Sequence, residues 1–470
     1  MDIWGGHPLV SLSLAKRYTN LGELVASVLK GAPSLGDEDL SREVQFFLYD
    51  ELLSDPDSQN FAQRLSILVG RQHATVLEAV RRVAPSIRTS VGVLLDRFLG
   101  SVLEGDANNG FAVPPVFREI AKQRISADEQ RAVYREVASA LLQPEGNVIQ
   151  AERAISGIMH SLLGEDTHTA MMWTVILVMN ALREEPPRAQ LEWILERLEI
   201  ISFVVPPVDF YGQLMLTLAQ MALATAFQRV NDVKRAAAIL GRVRFDAVPE
   251  RGDARLAKER NELRCACRMF RAVCLAIEDP VAALGTLEDL SAEELAELPD
   301  ESWKTLLVLL EGLVSRCPYR ENTGALIQRV IARASEDDAE ERHSVLLLAS
   351  SVAVRSKIDG LEPTRLEQVF GQSSLGRLLR TFCKATFLLE SGREVESLTE
   401  IDSALCISHD MGFTDGQDVA RLELTRGDAA FRIGNSTLAA DAYANTVGAA
   451  REGSFEFAWG SWRLGGTARR

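Results

Sequence analysis

Residues 421–450, RLELTRGDAAFRIGNSTLAADAYANTVGAA, constrain the fold of this chain more than any other stretch. Apolar residues at helical spacing flank a Gly-Asn turn on both sides. Gly427 stands where two helices must touch, Phe431 packs the first helix, and Gly434-Asn435 makes the turn. Ala439 and Tyr443 then pack the second helix back on the first. No single pair of this kind can bury its own apolar face, so several units must stack. Weaker copies fit the same template. ALATAFQRVNDVKRAAAILGRV places Ala224, Phe227, Asn231, Ala236 and Leu240, and CKATFLLESGREVESLTEIDSAL places Ala385, Gly392, Ser397, Ile401 and Ala404.

These spacings resemble the tetratricopeptide (TPR) repeat, a helical hairpin of thirty-odd residues. With 470 residues the chain is too long for one compact core, which suits a repeat array. Aromatics make up only 6%, while Ala, Leu, Val, Arg and Glu recur throughout, which favours helix over sheet. Everything beyond residue 125 reads as helix pairs. Residues 126–470 are therefore expected to form a TPR-like helical-repeat domain, its repeats running from 146, with FVVPPVDFYG (203–212) and FDAVPERGDAR (245–255) as interrupting loops. Ser126-Ala127-Asp128-Glu129 and Ser291-Ala292-Glu293-Glu294 are predicted capping boxes. The acidic run SEDDAEER (335–342) reads as a first helical turn that complements the helix dipole. At the end, FEFAWGSWRLGGTARR reads as the first helix of another unit, carrying Trp459, Trp462 and Leu464 with no second helix to cover them. Two readings stay open there: an array that continues, or rings folded back on the last pair.

The N-terminal third differs. Helices are expected over 9–18 and 21–29, then GAPSLGDEDLS breaks the pattern. From 41 to 125 come the helical segments EVQFFLYDELL, FAQRLSILVG, ATVLEAVRRVA and IRTSVGVLLDRFL. A hairpin follows, with Val102 and Leu103 before Asn109-Gly110 and Phe111 and Val113 after it, then the helix VFREIAKQRI. Helices, a two-stranded wing and another helix form the order of a winged-helix domain. The fold class expected is mainly all-α: a small winged-helix-like domain with one β-hairpin, followed by a TPR-like α-solenoid.

Composition and motifs exclude much chemistry. The net charge of −15 argues against a nucleic-acid partner, which needs a basic footprint. The helix before the hairpin, IRTSVGVLLDRFLGS, has only Arg88 and Arg97 as cations, and the wing carries Glu104 and Asp106. The apolar run AMMWTVILVMNAL (170–182) is shorter than the ~18–20 residues of a membrane span and reads as a helix buried on most sides. No signal peptide is visible, and the cysteines Cys265, Cys267, Cys274, Cys317, Cys383 and Cys406 read as buried reduced thiols, so a cytoplasmic setting is expected. His160 and His168 bracket Glu165 and Asp166, a stretch read as a solvated loop rather than a metal site. HDMGFTDGQD (409–418) lacks the alternating acids of a calcium loop. Neither a G-x-S-x-G nor a local Cys-His pairing is present.

MDIWGGHPLVSLSLAKRY opens the chain with a Gly-x-Pro turn, Gly6-His7-Pro8, ahead of an apolar helix. A Gly-x-Pro turn, a small helical piece (1–40), a winged-helix-like domain (41–125) and a TPR-like array together resemble the later domains of the STAND signal-transduction ATPases. The resemblance covers roughly residues 4–145 by order of elements, with GFAVPPVFREIAKQRI matching the wing strand and following helix. It implies that Pro8 would lie against an adenine, that Gly6 would permit close approach, and that His7 could add a polar contact. The family's phosphate-sensing histidine after the wing strand has no counterpart here, since the matching stretch is Val113-Pro114-Pro115. No G-x-x-x-x-G-K-[ST] loop occurs in the chain, so it is expected not to be an enzyme by itself. The resemblance implies a regulatory, ligand-sensing part of an ATPase switch in bacterial defence or signalling. Its partners would be a protein or peptide trigger and a P-loop ATPase domain in cis or in trans. ATP or ADP would be bound by the complete protein, and activation would form a homo-oligomer. The alternative is a stand-alone TPR-like interaction scaffold with no nucleotide role.

Overall fold

The computed structural model describes Leu53 and residues 55–99, 103–143, 150–244, 254–360 and 369–467. The 1–40 subdomain with Gly6, His7 and Pro8, and most of the predicted helix over 43–53, lie outside the described residues. Among those described, the protein is mainly all-α with a single two-stranded sheet. It divides into two compact units, Met1–Val204 and Val205–Arg470.

In the first unit α1 (Pro56–Ser66), α2 (Ala74–Arg82) and α3 (Val91–Phe98) precede β1 (Glu104–Asp106) and β2 (Gly110–Ala112). The strands pair antiparallel, with Glu104 opposite Ala112 and Asp106 opposite Gly110. Asp106 builds the turn, its carboxylate accepting the amides of Asn108 and Asn109, both at 2.8 Å. Gly110 follows with φ +77°, a conformation open to glycine at no steric cost. The segment between α1 and α2 adds a third edge, because Gln72 and Phe111 exchange backbone hydrogen bonds of 2.7 and 2.8 Å. Next come α4 (Pro115–Lys122) and α5 (Ala127–Leu142). One core joins them all, with Phe61, Leu77, Leu94, Phe98, Phe111, Val133 and Val137 in it.

Arg64 is wholly buried in this unit and holds it together. Its guanidinium donates to the carbonyls of Val83 (2.9 Å) and Pro85 (3.0 Å) and to the Glu129 carboxylate (2.8 Å). A buried guanidinium requires a counter-charge, and that demand corrects one expectation. Ser126 accepts the Glu129 amide as predicted, but the Glu129 side chain serves Arg64 instead of closing the capping box. The Ser291–Glu294 box forms in both directions. The unit continues through α6 (Ala151–Leu163), α7 (Thr167–Glu184) and α8 (Arg188–Leu198). α7 contains the apolar run 170–182, which is buried or half-buried except at Met179 and Asn180. Its buried stripe is Ala170, Met171, Thr174, Leu177, Val178 and Ala181, while Met179 and Asn180 are exposed.

The second unit is helical throughout its described residues. It opens with α9 (Phe210–Arg229), α10 (Val233–Gly241), α11 (Ala254–Leu275), α12 (Pro280–Glu288) and α13 (Ala292–Ala296). It goes on through α14 (Asp300–Val314), α15 (Glu321–Arg333) and α16 (Ala339–Ile358). α17 (Ser374–Glu390), α18 (Glu394–Asp410), α19 (Gln417–Arg432), α20 (Ser436–Ala449) and α21 (Phe455–Thr467) complete it. α9 is long and apolar enough to cross a membrane by length and composition, and 67% of its most apolar stretch is buried inside the unit. α9–α10, α11–α12, α17–α18 and α19–α20 pack as hairpins, alternate helices also touch (α14 with α16, α19 with α21), and α16 meets α19. This is a helical-repeat arrangement. Trp303, Leu310, Leu346, Phe370 and Phe382 sit in its main core.

Tyr443 of α20 lies against Gly427 of α19 as the sequence pattern predicts. A Cβ added at Gly427 would stand 2.5 Å from the Tyr443 ring. Asp338 caps α16 by accepting the amides of Glu340 and Glu341, so the acidic run does sit at a helix start. A recurrent device ends the first helix of four hairpins. A left-handed residue is followed by one whose N–H reaches the carbonyl five residues back, the Schellman end. Glu165 is followed by Asp166 (to Ser161, 2.8 Å), and Asn231 by Asp232 (to Phe227, 2.8 Å). Gly392 is followed by Arg393 (to Leu388, 3.0 Å), and Gly434 by Asn435 (to Ala430, 3.0 Å).

Candidate functional site

Glu185, which follows α7, is also left-handed, with φ +48°. The next residues are Pro186 and Pro187, which have no N–H. The bond that would run back to the Ala181 carbonyl is therefore impossible, and α7 ends without the donor found in those four hairpins. α7 and α8 do not form a close pair; α8 packs on α6 instead. Between α6, α7 and α8 lies a cleft of about 340 Å³. Trp173, Ile176 and Ile194 form its apolar walls, and Asn180, Glu184 and Gln190 bring polar groups to it. Asn180, Glu184 and Gln190 are exposed, and their side chains have no hydrogen-bond partner among the described residues. Trp173 is half-buried, with no arginine over its ring among the described residues, whereas Arg197 lies 4.1 Å from the Trp193 ring and Arg333 4.1 Å from that of Trp303.

A second cluster, which the sequence reading missed, is buried between α16, α19 and α21. Arg342 and Asp418, both nearly inaccessible, pair at 2.7 Å. Arg342 also donates to the Glu336 carbonyl (2.7 Å) and lies 3.6 Å from the Phe413 ring centre. Glu456 accepts the Gln417 side-chain amide and faces Arg421 at 3.5 Å and His343 at 3.9 Å. Burial holds the His343 imidazole below its ordinary pKa, outweighing the pull of Glu456. Burial likewise lowers the pKa of Arg421. The signal was present but unreadable. Asp418 closes the stretch weighed as a calcium loop, and Arg342 ends the acidic run; they are 76 residues apart. Pairs of this kind fix how helices pack, and nothing in the cluster is arranged as a nucleophile with its base.

The last helix settles which rings are covered. Trp459 packs on the α19–α20 pair, whereas Phe455 and Trp462 are 60% and 62% exposed. Phe455 and Trp459 stack at 5.9 Å, and Arg463 lies 5.0 to 5.2 Å from the rings of Phe431, Trp459 and Trp462 while pairing with Asp428 at 3.3 Å.

Several expected residues have ordinary duties. His160 is not in a solvated loop: it is buried on α6, its Nδ1 2.7 Å from the Ser156 carbonyl and its ring beside Tyr134. Burial lowers its pKa. Asp166 caps α7 through the Thr169 amide, and Glu165 pairs with Arg131. No group of three metal-ligating side chains exists among the described residues. Five cysteines are buried and free, and burial pushes Cys265 and Cys267 up to about 12 and Cys274 to about 11. Cys406 is the correction: it is exposed, because it sits on the outer side of α18 while Ile401 and Ala404 face the core. On α3 the exposed residues include Val93, Asp96 and Arg97, and Arg97 pairs with Asp55 at 3.1 Å. Gly6, His7 and Pro8 lie outside the described residues.

No family model matches the chain, and no curated protein matches it. Among solved structures it is similar to a STAND protein with a tetratricopeptide repeat sensor from Pyrococcus horikoshii, at a TM-score of 0.35 and 11% identity. The likeness covers 95% of this chain and 62% of that one, so the chain spans less than two thirds of that protein's length. A likeness at this score assigns neither a fold nor a function.

Proposed function

We propose that this chain is the ligand-sensing and regulatory part of a STAND-type ATPase switch, cytoplasmic and active in bacterial defence or signalling. The observation that carries the reading is an order of elements. α1, the Gln72 edge, α2, α3, the β1–β2 hairpin and α4 follow one another as in a winged-helix module, and helical hairpins come after them. The Gly6-His7-Pro8 turn at the start of the sequence supports the same reading. The winged module acts as a hinge rather than a DNA reader, since its α3 cation is paired and its wing is acidic. A protein or peptide trigger binds the helical hairpins and shifts the hinge only by its differential affinity for two states. The chain by itself is not an enzyme; ATP or ADP belongs to a P-loop ATPase joined to it in cis or in trans, and activation assembles a homo-oligomer.

The test is co-expression with a P-loop ATPase encoded upstream or in a neighbouring gene. The expected result is a stable complex whose ATP turnover changes on adding this chain, with 8-azido-ATP labelling that Pro8→Ala reduces. If no such complex forms and no such gene exists, the chain is a constitutive interaction scaffold instead.

A further inference from the structure

We propose that α21 is a self-association surface, on which a second copy of this chain lays its own α21 antiparallel about a two-fold axis. This contact would supply the homo-oligomer of the switch reading, on which its role rests.

The helix turns its charges inward. Its 13 residues include two charged side chains, Glu456 and Arg463. Glu456 is 3% exposed and faces Arg421 and His343, and Arg463 pairs with Asp428. The outer face, made of Phe455, Ala458, Ser461, Trp462, Gly465 and Gly466, is exposed and carries no charge. A solvated helix looks different: the exposed Val308 of α14 shares its outer face with Glu301 and Lys304. An uncharged face with two bare aromatic rings has the composition of an interface core.

The rings are fixed before any partner arrives. Trp459 packs on the α19–α20 pair, with Phe455 stacked on it at 5.9 Å and Trp462 against it at 4.8 Å. Rings already held in place lose little freedom on being covered.

Shape and charge select a second copy as the occupant. Antiparallel pairing sets Phe455 against Gly465-Gly466 and Trp462 against Ala458, so that large residues meet small ones under the two-fold axis. A Cβ added at Gly465 or Gly466 would have nothing within 4 Å, so the space for a ring is there. An isologous contact requires this self-complementarity. The chain carries a net charge of −15, and most of its surface therefore repels a second copy. This face brings no charge to be buried, and antiparallel helices set opposite dipole ends side by side. A charged partner would find no counter-charge on it.

Area sets the strength. Phe455 and Trp462 are 60% and 62% exposed, so the four rings of a pair cover roughly 400–600 Å². One helix pair therefore stays below the ~1,200 Å² of a stable interface, and the dimer is weak and concentration-dependent.

The test uses the full chain, without an ATPase, in sedimentation equilibrium from about 1 to 200 μM, the range of weak pairs. A monomer–dimer equilibrium is expected, tightening with added salt as the general repulsion is screened. Ser461 falls nearest the two-fold axis and faces its own copy. Ser461→Glu and Ser461→Arg should each weaken the dimer about tenfold or more by like-charge contact, and an equimolar mixture of the two should restore it. Trp462→Ala should weaken it about tenfold as well. Ser461 is exposed, so thermal midpoints of its variants should stay unchanged. A monomer at every concentration, a dimer indifferent to both Ser461 variants, or a mixture no tighter than its parts overturns the proposal. A chain that stays monomeric while the ATPase complex forms leaves the switch reading in place and removes only this contact. A dimer with no ATPase complex keeps the contact and removes the switch.

Discussion

Two helical hairpins in this protein use the same parts and reach opposite outcomes. In α19–α20 the turn is Gly434-Asn435: glycine takes the left-handed conformation, the Asn435 N–H bonds back to Ala430, and the Asn435 side chain caps α20. The helices then close until Tyr443 rests on Gly427. In α7–α8 the left-handed residue is Glu185 and its successors are prolines, so the closing bond cannot form and the helices stand apart over a cleft. The two turns differ by one backbone N–H. The difference teaches that a hairpin can leave an open cleft where the bond that would close its turn cannot form.

The comparison can be broken from either side. The largest effect is expected from Tyr443→Ala, which empties the closed hairpin and leaves Asp428 without its 2.8 Å phenol donor. A buried aromatic truncated to alanine costs ~3–5 kcal/mol. Urea unfolding should show that loss, with faster amide exchange over α19–α21 and no change in α5 and α6. Exchange left unaltered in α19–α21 would show that the ring does not hold the pair.

Left-handed positions should respond with opposite signs. Gly434→Ala places a Cβ in a left-handed conformation and is expected to destabilise by ~1–2 kcal/mol. Glu185→Gly relieves the same strain and is expected to stabilise by about 1 kcal/mol, since glycine gives back part of the gain as unfolded-state entropy. Paired thermal melts check both, and equal signs would refute the shared geometry.

Pro186→Ala sharpens the contrast further. It restores an N–H able to reach the Ala181 carbonyl, a bond worth ~0.5–1.5 kcal/mol, but loses the stiffness of proline in the unfolded chain, worth ~0.4–1 kcal/mol. Stability should therefore change by less than about 1 kcal/mol, while α7 and α8 draw together and the cleft narrows. A crystal structure of the variant with α7 and α8 still apart would count against the proline account.

The smallest effect concerns the buried charges. His343 has a lowered pKa in the folded state, so folding favours its neutral form. Its contribution is present above the unfolded value of about 6.5 and is lost as pH falls toward the folded one. Urea midpoints at pH 7.5 and 5.5 should drop further in the wild type than in His343→Gln. Equal drops would mean that His343 does not titrate against the fold.

Legibility in the sequence followed the range of each interaction. The hairpin with its Asn-Gly turn, the Ser291 box and the Gly427–Tyr443 pair were readable because each is specified within about twenty residues by backbone sterics and helical period. The left-handed Glu185 with its two prolines was equally local, yet its consequence was not, because a missing bond matters only once neighbouring hairpins show where it should be. The Arg64–Glu129 pair defeated half of a predicted capping box, since no local pattern reveals that a guanidinium 65 residues away will be buried beside it. Cys406 was assigned to the core by residue type, and only packing decided which side of α18 it faces.

The order and helical character of the elements, the position of each turn and the need for hairpins to stack were determined by the sequence alone. They follow from torsional preference and apolar period, which act between near neighbours. Which charges lie buried together, which ring faces stay bare and which hairpin remains open were decided only in the tertiary structure. Desolvation and close packing depend on what is brought alongside from far along the chain, and each acts only after the helices have met.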